Sequence, residues 1–199
     1  MKVKTRRAEE LADCLEELAA LRIAVFREWP YLYEGTLEYE RGYLATYLGN
    51  PRARIVTAEE GGRLVGISTC LPLADELEEF RRPLEEAGFE TAEGFYFGES
   101  ILLPEYRGRG IGRQFMEARL EAARAHGGIG FCCFCAVRRD GDDPRRPEGY
   151  RPLDPFWRKM GFEPLDGVTA VFDWREAGDV EETPHVMDFW VWREVGLCE

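Results

Sequence analysis

The chain has 199 residues, 45% of them hydrophobic and 13% aromatic, which suits one domain spanning 1–199 with a sizeable buried core. Its formal charge of −12 argues against nucleic acid as a general partner, because polyanions repel one another. No apolar run approaches membrane-spanning length, and the basic opening Met1–Glu10 lacks the apolar segment of a signal peptide, so a cytoplasmic protein with no membrane partner is expected.

Val3–Arg7 reads as a first strand. From Ala8 to Glu28, Leu11, Leu15, Leu18, Leu21 and Val25 form a helical stripe, broken by Trp29-Pro30-Tyr31. Thr36–Leu48 is a second helix, ended by Gly49-Asn50-Pro51. Arg54–Glu59 and Arg63–Leu71 read as a hairpin around Glu60-Gly61-Gly62. Asp75–Ala87 reads as a helix interrupted by Pro83, Phe95–Leu103 as a strand, and Ile111–His126 as a helix closed by Gly127-Gly128. Gly130–Val137 is a further strand. Asp154 and Pro155 have the character of an N-cap and first helical residue, so a short helix should run to Met160 and stop at Gly161. Two last strands, Val168–Arg175 and His185–Arg193, flank the acidic turn Glu176–Thr183.

Three of the six cysteines crowd the strand Gly130–Val137. Cys132 and Cys135 have CxxC spacing, but residues three apart in a strand point to opposite faces. With no second Cys or His pair nearby, buried free thiols and no metal are expected.

The chemistry concentrates at Arg107-Gly108-Arg109-Gly110-Ile111-Gly112, between a strand and a helix. Backbone N–H groups at such a turn converge on an anion, and the helix dipole adds to the attraction. Arg107, Arg109 and Arg113 place positive charge in an acidic chain. The loop lacks the Lys-Ser/Thr ending of a nucleoside-triphosphate loop and the spacing of a dinucleotide fingerprint. Leu102-Leu103-Pro104-Glu105-Tyr106-Arg107-Gly108-Arg109-Gly110-Ile111-Gly112 instead resembles the coenzyme-A loop of the GNAT superfamily of N-acetyltransferases. Asp154-Pro155-Phe156-Trp157-Arg158-Lys159-Met160-Gly161-Phe162 resembles the short C-terminal helix of the same family, and the order of elements matches along nearly the whole chain.

That resemblance implies an α/β (α+β) GNAT fold. Its central sheet would be mixed and mostly antiparallel, with six to seven strands, helices on its flanks and a splayed coenzyme-A cleft. It implies an acetyl-CoA-dependent N-acetyltransferase whose acceptor is an amine of a small molecule or peptide. The pyrophosphate of acetyl-CoA would lie on residues 107–113, including Ile111 and Arg113, and its arm against Ile101, Leu102 and Leu103. Glu99, eight residues before Arg107, would be the general base, directly or through water, or else a structural carboxylate capping a bulge. Trp157 stands where the family usually has its acidic tyrosine, and an indole N–H cannot protonate a thiolate. Trp157 then packs in the core, contacts the coenzyme arm, or both. The leaving group needs no acid, or Tyr150 supplies one. Tyr150 lies in the long charged segment Arg138–Pro152, which reads equally as a functional or a solvated loop. Tyr31, Tyr33 and Glu34 fall where family members bind acceptor, or are core and turn residues. The rival reading is a non-catalytic acyl-CoA-binding or interaction module of the same fold. The acceptor, the length of the acyl group and a homodimeric state stay open.

Overall fold

The computed structural model describes residues 1–193. Seven strands form one open sheet: β1 (Lys2–Arg7), β2 (Arg54–Glu60), β3 (Arg63–Pro72), β4 (Gly94–Leu102), β5 (Phe131–Val137), β6 (Glu163–Arg175) and β7 (Glu182–Arg193). Their order is β1-β2-β3-β4-β5-β7-β6, antiparallel throughout but for the parallel pair β4–β5. Helices α1 (Leu15–Phe26), α2 (Leu37–Leu48), α3 (Glu78–Glu86), α4 (Ile111–His126) and α5 (Asp154–Lys159) flank it. This is the mixed, mostly antiparallel sheet that the motifs implied. Among the described residues no helix is long and apolar enough to cross a membrane.

Each face of the sheet buries its own core. Leu18, Leu21, Leu44 and Tyr47 of α1 and α2 pack with Ile55, Ile67, Tyr96, Cys133, Cys135 and Phe189. Met116, Leu120 and Ala123 of α4 pack with Cys70, Phe95, Phe97, Cys132, Phe134 and Phe162. Strand alternation therefore puts Cys132 in one core and Cys133 and Cys135 in the other. Cys14, Cys70, Cys132, Cys133 and Cys135 form no disulfide among the described residues, and Cys198 lies outside them. Burial pushes the Cys70 and Cys135 thiols up to about 12. Among the described residues no three His, Cys, Asp or Glu side chains are grouped to hold a metal ion.

Several boundaries differ from the sequence reading. Helix α3 starts at Glu78, not Asp75, and runs through Pro83 without a break, and β7 starts at Glu182, not His185. Three others differ for a local reason. The long helix over Ala8–Glu28 is split, because Ala8–Cys14 forms a 3-10 segment before α1. Its buried residues, Ala8 and Leu11, repeat at the three-residue period of that tighter helix. Asp154 is not the N-cap of α5. Leu153 takes that position, and the Asp154 carboxylate sits in the first turn, where the helix dipole favours it. Strand β6 begins at Glu163, ahead of the expected Val168. A register break between Pro164 and Thr169, with Gly167 at φ +79°, had hidden its first residues.

Two irregularities shape the centre. The β4–β5 ladder runs only from Gly94–Tyr96 against Phe131–Cys133, so β4 has no strand beside it on that side beyond Tyr96. Across β3, the register jumps from Ser68↔Ser100 to Cys70↔Phe97, a bulge that sets Gly98 and Glu99 against Thr69. Gly98 fits there because a Cβ would lie 2.5 Å from Thr69 Oγ1 and 2.8 Å from the Tyr47 hydroxyl. Gly98→Ala should therefore cost about 1–3 kcal/mol through overpacking, read as a lower urea midpoint at unchanged slope. An unchanged midpoint would mean that the bulge has slack.

Candidate active site

A glycine turn and a helix start make the first part of the site. Gly108 and Gly110 have φ of +73° and +80°, and a Cβ on either would meet nothing within 4 Å. Gly110 caps α4, and the first turn leaves the N–H groups of Ile111, Gly112 and Arg113 without helical acceptors. The Ile111 side chain is buried in the core, so only its backbone serves the turn. Arg107 pairs with Glu28 at 2.7 Å and donates to Leu102 O at 3.0 Å. Arg109 donates to Glu105 O, and Arg113 pairs with Glu117.

From this turn a cleft of about 1670 Å³ runs between β4 and β5. Ile101, Leu102, Gly108, Gly110, Gly112, Met116, Phe156 and Trp157 line one end. Leu103 lies outside the lining and spends its N–H on Val65 O at 3.0 Å. Trp157 does two things: it packs 5.0 Å from the rings of Phe134 and Trp190, and it borders the cleft.

At the bulge the cleft meets a buried charge cluster. Glu99 is 6% exposed, and its N–H donates to Thr69 Oγ1 at 3.0 Å. Its Oε2 accepts from Arg22 Nη1 and from the Tyr43 hydroxyl, the latter at 3.3 Å. Arg22 of α1 also donates to Glu40 of α2 and lies over the Tyr43 ring at 4.1 Å. Burial opposes the Arg22 charge, but Glu99, Tyr43 and Glu40 together hold its pKa well above the ordinary value. Burial likewise pushes the Tyr43 phenol up, and the Glu99 charge adds to it. One guanidinium thus serves two carboxylates. Glu99 Oε1 and Glu40 Oε1 are buried with no hydrogen-bond partner.

Aromatic rings wall this end. Phe26, Trp29, Tyr31, Tyr33, Tyr43 and Trp174 line the cleft, whereas Glu34 turns away to pair with Arg27. Burial raises the phenols of Tyr31 and Tyr33. Tyr150 is half-buried, edge-on to Trp29 with centroids 6.0 Å apart, and burial raises its phenol too.

The segment Arg138–Pro152 is ordered by a second buried cluster. Arg139 donates to Pro30 O and Tyr31 O and pairs with Glu176, and Arg145 pairs with Glu176 from the other side. Trp174 Nε1 donates to Tyr31 O at 3.1 Å, and His185 stacks on Trp174 at 3.7 Å. Burial keeps the His185 pKa low. Burial works against the Glu176 charge, but its bonds to Arg139 and Arg145 hold its pKa below the usual carboxylate range.

The model of the GNAT acetyltransferase family matches residues 18–162. The chain belongs to that family. Solved structures agree on the fold. Escherichia coli ElaA is 22% identical with a TM-score of 0.56, over 97% of this chain and 99% of that one. Ribosomal-protein-alanine N-acetyltransferase from Brucella melitensis is 16% identical with a TM-score of 0.57, over 98% and 100%. The PaiA N-acetyltransferase from Thermoplasma acidophilum, solved with coenzyme A, is 14% identical with a TM-score of 0.52, over 98% and 100%. No curated protein matches the chain.

In this GNAT domain the cleft brings together Glu99, Ile101, Leu102, Arg107, Gly108, Gly110, Gly112, Arg113, Tyr150, Trp157, Tyr31 and Tyr33. Leu103, Arg109, the Ile111 side chain and Glu34 stand outside its lining. Sequence reasoning missed Arg22, Glu40 and Tyr43 around Glu99, and the Glu176 clamp. A signal existed for Arg22. It continues the α1 stripe of Leu18 and Leu21, so a charge was falling on a buried face.

The clamp gives a pH-dependent prediction. A carboxylate with a depressed native pKa contributes stability above its unfolded pKa and loses it as pH falls through the native value. Glu176→Gln should cost about 1–3 kcal/mol at neutral pH, since it removes the buried carboxylate charge that Arg139 and Arg145 share. The deficit should shrink in acid, where the parent carboxyl is neutral as well. Denaturation curves at neutral and acid pH check this, and a deficit independent of pH would contradict it.

Proposed function

We propose that this GNAT acetyltransferase uses acetyl-CoA to acetylate an amine of a small molecule or peptide. The observation that carries the reading is Glu99, with a buried, unpartnered oxygen at the point where the coenzyme end of the cleft meets the aromatic end. The turn fits the coenzyme: two glycines at positive φ leave open space, three helix N–H groups lack helical acceptors, and the β4 edge lacks a ladder partner. The coenzyme-A complex of the T. acidophilum protein supports the same use of the fold. The backbone of residues 108–113 would hold the pyrophosphate with the Arg107 and Arg113 side chains, while Ile101, Leu102 and Trp157 would flank the arm.

Bound acetyl-CoA supplies an activated acyl group, so the protein must align the amine, take up its proton and stabilise negative charge. Glu99 would receive the acceptor ammonium on its free oxygen and take the proton directly or through water. Tyr31 and Tyr33 would wall the acceptor, with Glu34 at the outer turn. Trp157 has no proton to give a thiolate, so that duty falls to Tyr150 or to no acid. The second reading is a non-catalytic acyl-CoA-binding module, favoured by the packing of Trp157 into the core. Thiol release from acetyl-CoA with a panel of amines separates the two.

Gly110→Asp should cost about 1–2 kcal/mol of stability, because its φ of +80° strains any side chain even though a Cβ meets nothing, and should weaken acetyl-CoA binding about 100-fold or more by placing an anion in the turn. Unchanged affinity by calorimetry would overturn the loop assignment. Glu99→Gln should lower kcat by about 10²-fold with acetyl-CoA affinity nearly kept, and the pH–rate profile should lose its acidic limb. A raised KM for the amine with that limb intact would make Glu99 an ammonium docking group only.

A further inference from the structure

Arg119 is a buried cation with no anion. It sits on the third turn of α4, 3% exposed, on the stripe shared by Phe115, Met116, Leu120 and Ala123. Its guanidinium lies over the Phe97 ring at 4.4 Å. Nη2 reaches Met116 Sδ at 3.6 Å, and Nε is buried with no partner. Cys70 of β3, Tyr96 and Glu99 of β4 and Cys132 of β5 act on it electrostatically, but no carboxylate among the described residues is in ion-pair contact with it. Glu99, the carboxylate that acts on it, is already held by Arg22. Arg22 and Arg119 are thus both buried on apolar helix stripes, the first served by two carboxylates and the second by none.

A desolvated guanidinium without a counterion is strongly disfavoured. Burial pulls the Arg119 pKa down to about 10 against the opposing pull of Cys70, Cys132, Glu99 and Tyr96, which still leaves it charged at neutral pH. The side chain lines the cleft, so a negative charge that arises there can reach it. Eight residues of helix separate Arg119 from Ile111, about 12 Å along the axis. Because α4 packs back along β4, that distance brings Arg119 to Phe97, beside the bulge and Glu99.

We propose that Arg119 stabilises the thiolate that leaves coenzyme A, doing by charge what the missing phenol would do by proton donation. The proposal rests on the acyl-CoA reading above. In the transfer, a C–N bond forms from the amine and the C–S bond breaks, its electron pair staying on sulfur. One ammonium proton is lost before attack and one as the amide forms, toward Glu99 and solvent. Arg119 holds the sulfur anion until solvent protonates it. Of the protein sulfurs beside it, Met116 Sδ is an uncharged thioether and Cys70 and Cys132 are thiols in the core. Burial keeps Cys70 in its neutral form, so it does not compete as an anion.

The test needs no acceptor. Coenzyme A is bound to the full chain, and its thiolate absorbance is titrated against protein alone, for the parent, Arg119→Met and Arg119→Lys. The parent should bind coenzyme A with a thiol that ionises about one pH unit or more below the free thiol, a tenfold enrichment of thiolate. Arg119→Met should abolish the shift and Arg119→Lys should keep part of it. Arg119→Met removes an unpaired charge from an apolar site, so it should fold at least as stably as the parent. With acetyl-CoA and an accepted amine, its kcat should fall about tenfold or more at nearly constant KM for acetyl-CoA. A bound thiol that ionises alike in parent and Arg119→Met overturns the role of Arg119. So does an unchanged thiol with lost preference for succinyl-CoA over acetyl-CoA, which would make Arg119 an anchor for an acyl carboxylate. A parent that fails to bind coenzyme A overturns the acyl-CoA reading itself.

Discussion

Everything at the centre of this protein follows from the early end of one ladder. Strands β4 and β5 pair over Gly94–Tyr96 and Phe131–Cys133 and then separate. A parallel pair inside a sheet ordinarily continues, because each unpaired N–H and C=O in the interior costs free energy. Here β5 keeps its partner β7 along its whole length, and β4 keeps β3 on its other side. Only the facing edges go without. The bulge at Gly98–Glu99 makes the parting local, since an extra residue bends the strand and increases its twist. The gap is therefore built by the sheet itself and requires no moving loop.

The gap also explains where charge is buried. Helices α1 and α4 approach it from opposite faces, and each carries an arginine on its apolar stripe. Low-dielectric surroundings strengthen every interaction there and penalise any group left unmatched. On the α1 face the account is nearly complete: Arg22 ties Glu40 to Glu99, with two carboxylate oxygens left over. That excess is negative, as an ammonium needs. On the α4 face the excess is positive, as a sulfur anion needs. The two unmatched charges lie on either side of the strand along which acyl transfer would run.

The fold was largely legible because its signals are local. The Gly61-Gly62 turn, with both φ positive, is a hairpin turn that few other pairs would form, and Gly110 and Gly127 bracket α4. The loop at 107–113 is a contiguous motif whose geometry depends on its own glycines. Boundaries failed where local rules gave way, as in the 3-10 period of Ala8–Cys14 and the broken register behind Pro164. The partners of Glu99 were hidden for a different reason. Arg22 lies 77 residues away and Tyr43 56, so their meeting is a consequence of packing α1 and α2 on the sheet. What could have been read was the anomaly of each helix alone. Arg22, Glu40 and Arg119 all stand where the stripe calls for an apolar side chain, and a charge in that place implies a buried partner or a ligand.

The long segment Arg138–Pro152 resolves in the same terms. It carries no helix or strand, so beyond the Arg138 N–H bond to Val186 O and three local turn bonds its hold on the rest of the protein comes from side chains. Glu176 supplies it, by holding Arg139 and Arg145 at once while Arg139 reaches the carbonyls of Pro30 and Tyr31. The β6–β7 turn, the α1–α2 connection and the loop after β5 are thereby fixed to one carboxylate. Those are the three segments that close the aromatic end of the cleft. On the proposed reading, the acceptor wall would be set by this charge cluster, and the two ends of the cleft meet at β4, at its bulge and at the Arg107–Glu28 pair. The turn rests on its own glycines, whereas the aromatic end rests on contacts between residues far apart in sequence, which is why the turn carries a recognisable motif and the aromatic end does not.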